Sequence, residues 1–120
     1  MSYFIIALKL IVGVSILNVW LLNSKKETIW RAGNAKNIIE EFAVYGLSKK
    51  VCYSIGFLKV VLSLLLIASI WFAKLENPAA IGLAILLTGS IAMHLKVRDP
   101  IKKSFPAALF LSMCLAIVML

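Results

Sequence analysis

Three ionisable residues stand inside otherwise apolar stretches of this 120-residue sequence: Lys9, Lys59 and His94. In hydrocarbon such a residue costs ~2.5–3.5 kcal/mol on insertion scales, so it either finds a partner or serves a task. Lys59 is the sharpest candidate. It lies roughly 12 Å along a helix that starts near Val51, at about 1.5 Å per residue. At about 100° per residue, Cys52, Gly56, Ser63 and Leu66 share its face, which points into a bundle. An ammonium there can hold a ligand oxygen. It can also snorkel to headgroups, or pair with Glu40 or Glu41.

His94 shares its face with Ser90 and Leu87. An imidazole in that position can shuttle a proton, hold an axial position on a haem, or sit as a satisfied core residue. It is the only histidine, so one chain cannot supply a bis-histidine haem or a His-based zinc site. Lys9 lies about half a turn around its helix from Asn18, so the two cannot serve one site. Close to the outer surface, it reads as a lysine that snorkels there. Cys52 and Cys114 form no CxxC, and helix rise separates them by roughly 12 Å in depth, too far for a bridge. No Ser/His/Asp arrangement, metal-ligand cluster or phosphate loop is present, so a hydrolase or kinase has no footing.

The elements that must carry these residues follow from hydropathy. Hydrophobic residues make up 62% of the chain and the mean hydropathy is +1.01, against roughly 45–50% apolar residues in soluble domains. Four apolar blocks appear, at 3–23, 51–73, 79–95 and 104–120. Inside a bilayer each must be helical, because the backbone can bond only to itself. The expected fold is all-α: one transmembrane domain over residues 1–120, an integral membrane four-helix bundle. Glu76-Asn77-Pro78 and Asp99-Pro100 punctuate it, and Pro106 falls in the first turn of the last helix. The first residues carry no basic region and no small-residue cleavage site, so the first block is expected to stay as a span.

Between the first two blocks, residues 35–47 place Ile38, Ile39, Phe42 and Ala43 near one helical face beside Glu40 and Glu41. The pattern is that of a short cytoplasmic amphipathic helix. Tyr45-Gly46 ends it and Ser48 opens the next element. The net charge is +8. Lys25, Lys26, Arg31, Lys36, Lys49 and Lys50 fall in the first loop, and Lys96, Arg98, Lys102 and Lys103 in the last. The tight loop around Asn77 has Lys74 alone. The positive-inside rule makes both basic loops cytoplasmic and puts Met1 and Leu120 outside, in a bacterial inner membrane. The basic residues flank apolar blocks and form no nucleic-acid-binding module, so their partner is the headgroup layer.

Small residues supply packing seams, with Ala108, Ser112 and Ala116 on the last helix and Gly82 with Gly89 on the third. Trp20, Trp30 and Trp71 lie near block ends, where interfacial anchors are expected.

The order of Trp30-Arg31 with Gly33, Glu41-Phe42 with Tyr45-Gly46-Leu47, Gly56-Phe57-Leu58-Lys59, and His94 with Asp99-Pro100 resembles the DoxX-like family of small four-helix membrane proteins. The resemblance covers nearly the whole chain and rests on order and spacing. It implies a link to thiosulfate and quinone chemistry, to oxidative-stress complexes, or to assembly of other membrane proteins. His94 matches a recurring family histidine. At Lys59 the chain departs from the acidic residue that many members carry in the second span.

Three functions are therefore expected, in this order. The first is a non-catalytic accessory or assembly component docked on a membrane partner or a homo-oligomer. The second is a site for a quinone- or lipid-like ligand, drawing on Lys59, His94, Ser63, Glu41 and Tyr45. The third is an oligomeric transporter or channel, for which the inverted repeats common in transporters are missing. The sequence leaves the cofactor open: quinone fits, and no metal site or complete haem ligation is readable.

Overall fold

The computed structural model describes residues 3–22 and 35–120, and every regular element among them is helical. Helix α1 covers Tyr3–Leu17 and continues as a π-helical turn, Asn18–Leu22; α2 is Ile38–Val44, α3 Lys49–Ala68, α4 Glu76–Lys96 and α5 Phe105–Met119. Lys25, Lys26, Trp30, Arg31 and Gly33 lie outside the described residues.

Local chemistry sets the helix ends. Asn37 caps α2, its Oδ1 accepting from Glu40 N at 2.9 Å, while Glu40 Oε2 accepts from Lys36 N at 3.3 Å. This is a reciprocal cap. Ser48 caps α3 by accepting from Val51 N at 3.3 Å. The third helix begins earlier than Pro78 suggested, at Glu76. A proline in the first turn lacks only a donor that has no helical partner, so Pro78 does not stop α4. The break falls instead between Ser69 and Leu75.

With their adjoining turns, four helices of 19 to 24 residues are long and apolar enough to cross a bilayer. Their outer faces keep large apolar side chains exposed, such as Tyr53, Phe57, Ile85 and Leu115. Water would penalise those faces and hydrocarbon does not. The chain is a multi-pass membrane protein.

The long helices close a ring in which α1 packs on α3 and α5, and α4 packs on the same two. Val12, Leu66, Leu83, Cys114 and Ile117 form its core. A second, smaller cluster of Ile38, Phe42, Tyr45 and Cys52 sits under α2. Ala43, expected on the inner face of α2, is exposed, because the helix is only seven residues long and buries just Ile38 and Phe42. Cys52 and Cys114 are thiols outside any disulfide and lie in different clusters.

The two ends of the bundle differ. At one, Lys9 does not snorkel. Its side chain is fully buried and its Nζ stands 2.9 Å from Glu76 Oε1, with Ser69 O at 3.4 Å. The pair ties the first half of α1 to the end of α3 and the start of α4. At the other end, Lys96 Nζ donates to Tyr45 O at 3.1 Å. The α1–α3 and α4–α5 connections therefore share an end. Removing one partner of a buried pair strands the other. Lys9→Met is expected to lower stability in detergent by about 3 kcal/mol. Lys9→Met with Glu76→Gln should recover most of that loss in a thermal melt; an equal loss in both variants would rule out the ion pair as the cause.

Candidate functional site

A cavity of about 220 Å³ lies at the α2 end of the bundle, enclosed by the π-helical turn of α1, α2, α3 and α4. Its walls are mostly apolar, with Ile55, Ile85 and Met93 among them; Glu41, Tyr45, Lys59 and Ser90 bring polar atoms to it.

Lys59 reaches the cavity from the face read in the sequence: Cys52, Gly56, Lys59, Ser63 and Leu66 are the buried residues of α3. Its Nζ donates to Ser90 Oγ at 3.1 Å, and Ser90 Oγ in turn donates to Leu86 O at 3.2 Å. The ammonium also stands 5.5 Å from the centroid of the Trp20 ring, a cation–π contact. Among the described residues no carboxylate lies within ion-pair distance of it. Glu41 lines the same cavity and acts on Lys59 at longer range.

Gly56 positions the indole. A Cβ at Gly56 would stand 2.6 Å from Trp20 Cε3, so only a bare α-carbon lets the ring lie across α3 beneath the ammonium. Trp20, near the end of the first span, is thus half-buried against α3, whereas Trp71 is 73% exposed. Edge-on contacts continue from Trp20 to Phe42 at 5.9 Å, Phe42 to Tyr45 at 5.8 Å and Tyr45 to His94 at 5.7 Å.

Behind Tyr45 runs a hydrogen-bonded chain. The phenol oxygen is 3.0 Å from Glu41 Oε1 and 3.3 Å from His94 Nε2. On the far side of the ring, His94 Nδ1 is 2.9 Å from Asp99 Oδ2. Two turns of one kind build this arrangement. After α2, Leu47 N bonds Phe42 O and Gly46 N bonds Ala43 O; after α4, Asp99 N bonds His94 O and Arg98 N bonds Leu95 O. Both are Schellman ends with the C′ residue left-handed, Gly46 at φ +82° and Arg98 at φ +58°. The second turn folds Asp99 back over the residue five before it, which is His94.

Of the residues expected at a site, Lys59, Glu41 and Tyr45 line the cavity, and His94 stands behind Tyr45. Ser63 does not line it. It is fully buried one turn further along α3, its hydroxyl unpartnered among the described residues, and its carbonyl faces Gly13 of α1. Trp20, Ser90 and Asp99 were not expected as site residues. Trp20 had a signal, since at about 100° per residue it falls on the face of Lys9 and Gly13. Among the described residues no cluster of His, Cys, Asp and Glu could hold a metal ion.

A family model described as the DoxX-like family matches residues 27–117. No curated protein and no solved structure matches the chain.

The Trp20 seat can be tested directly. In a Trp30→Phe, Trp71→Phe background, Gly56→Ala should cost about 1–3 kcal/mol by overpacking and shift Trp20 emission to the red. An unchanged melt and spectrum would mean the indole does not rest on Gly56.

Proposed function

The chain belongs to the DoxX-like family, and on that premise we propose that it binds a quinone- or lipid-like molecule, with its oxygen-bearing head in the α2-end cavity. One observation carries this reading. Lys59 is a buried ammonium with three donors, one spent on Ser90, facing an apolar cavity with no carboxylate at ion-pair distance among the described residues. An ammonium under-supplied with acceptors favours an occupant that brings a carbonyl, hydroxyl or anionic oxygen. Size narrows the choice. About 220 Å³ is less than the roughly 300–1,000 Å³ that encloses a drug-sized ligand. It takes a single ring or head group and leaves the tail in the bilayer.

The bilayer in this reading is a bacterial inner membrane, with α2 and the α4–α5 turn cytoplasmic and Met1 and Leu120 outside. The support is that Lys49, Lys50, Lys96, Arg98 and Lys102 fall at the shared end of the bundle and Lys74 at the other. An accessory or assembly role on a membrane partner, or in a homo-oligomer, is the second reading. It is favoured by α5, whose span buries 17% of its residues within the chain against 28–33% for the other three.

Ubiquinone-1, which has a short tail, is a suitable probe in detergent titrations. Lys59→Met should weaken it about tenfold or more, the weight of one hydrogen bond to a charged group. Gly89→Phe should abolish binding by filling the cavity, since a side chain at Gly89 meets nothing within 4 Å. Ser63→Ala should leave it unchanged. Equal affinity in all four proteins would remove the cavity as the site, and no binding by the wild type would remove quinone. For orientation, alkaline phosphatase fused after Leu120 should be active and a fluorescent protein fused there dark. The opposite pattern inverts the topology.

A further inference from the structure

The binding reading leaves part of this end of the bundle without a task. Lys59 and the apolar walls suffice to hold a head group, yet Tyr45 is linked through His94 to Asp99, away from the cavity. Asp99 belongs to the turn between α4 and α5, beside the exposed residues Arg98 and Pro100. A carboxylate, a phenol, an imidazole and a second carboxylate follow one another at 3.0, 3.3 and 2.9 Å. Every link is within hydrogen-bond distance, and each group can accept a proton on one side and release one on the other.

We propose that Glu41, Tyr45, His94 and Asp99 form a proton-transfer chain that connects the cavity to the α4–α5 turn. One excess proton has three stations. With the proton on Glu41, the carboxyl donates to Tyr45 O, Tyr45 donates to His94 Nε2, and His94 Nδ1–H donates to Asp99. In the first step Glu41 gives its proton to Tyr45 O while Tyr45 gives its own to Nε2. The imidazolium now lies between two carboxylates. In the second step Nδ1–H passes to Asp99 Oδ2, leaving a neutral Nε2–H imidazole. One proton enters at Glu41, one leaves at Asp99, and no bond between heavy atoms changes.

Among the described residues, charged groups stand at both ends of the chain. Lys59 of α3 acts on Glu41 at the cavity end, and Lys103, at 4.0 Å, acts on Asp99 at the turn end. Lys96 of α4 bonds the Tyr45 carbonyl midway. Glu40 of α2 is turned away to Asn37 and the Lys36 amide. From α1, the uncharged Trp20 closes the cavity. An ion pair built only for stability needs His94 and Asp99; it does not need the phenol and the second carboxylate in series. The proposal rests on these side chains alone and stands whether or not a quinone is the ligand.

His94 is the only histidine in the chain, so labelling histidine with nitrogen-15 reports one imidazole without assignment. Its two nitrogen shifts give the balance of the Nδ1–H and Nε2–H forms. Glu41→Gln mimics a permanently protonated Glu41 and should move the balance toward Nδ1–H. Asp99→Asn mimics a protonated Asp99 and should move it toward Nε2–H. In a Tyr45→Phe background, which keeps the ring contacts with Phe42 and His94, the Glu41→Gln shift should vanish. Shifts in one common direction, no shift in either variant, or a Glu41→Gln effect that survives Tyr45→Phe would overturn the chain. Should Tyr45→Phe fail to fold, the opposed directions of the first two variants decide alone.

Discussion

Hydrocarbon cannot solvate a charge, and the two lysines inside the spans meet that constraint in different ways. Lys9 meets it within the chain. Glu76, at the first turn of α4, and the carbonyl of Ser69 supply acceptors to the ammonium. Among the described residues Lys59 is met only in part, by one hydroxyl and the face of an indole. Both partners are weaker than a carboxylate, and both belong to the rim of a cavity. The same penalty that makes the first a structural tie makes the second an open demand for oxygen.

The site exists because two helices end in the same way at the same level. A Schellman end reverses the chain within two residues. After α2 it sends Leu47 into the cavity wall; after α4 it brings Asp99 onto His94. Glycine makes the first turn without strain. Arginine makes the second, at a cost of roughly 1–2 kcal/mol for a left-handed residue with a Cβ. That strain sits beside the imidazole–carboxylate contact, where a residue in an unfavourable conformation is held by the surrounding structure.

Much of this could be read in the sequence wherever one helix was enough. The buried face of α3 followed from angular spacing, and the end of α2 at Tyr45-Gly46 and the start of α3 at Ser48 from turn and cap residues. Reading failed where a second element decides. Lys9 looked like a snorkelling residue because its partner lies 67 positions later and is brought in by the α3–α4 connection. Ser63 shares the face of Lys59 but, one turn on, that face meets α1 and not the cavity. Trp20 was read only from its place near a block end, and its contact with Gly56 of α3 depends on how α1 and α3 pack. Asp99 was read as punctuation, and its second role depends on a left-handed residue that arginine does not advertise.

A short element of the fold carries two of the cavity's polar groups. A seven-residue helix is far below the roughly 12–15 residues needed for marginal stability alone, so α2 depends on its caps and on what it packs against. Among the described residues, Ile38, Phe42 and Tyr45 pack with Cys52, Trp20, Met93 and Val97, Tyr45 meets His94, and Lys96 bonds the Tyr45 carbonyl. Glu41 and Tyr45 project from this helix, so both ligand contact and proton delivery depend on its being docked. An occupant that touches α2 adds to the free energy that holds it down, and by linkage a docked α2 raises affinity for the occupant. The cavity and the proton chain would then form together, because one short helix closes the first and begins the second.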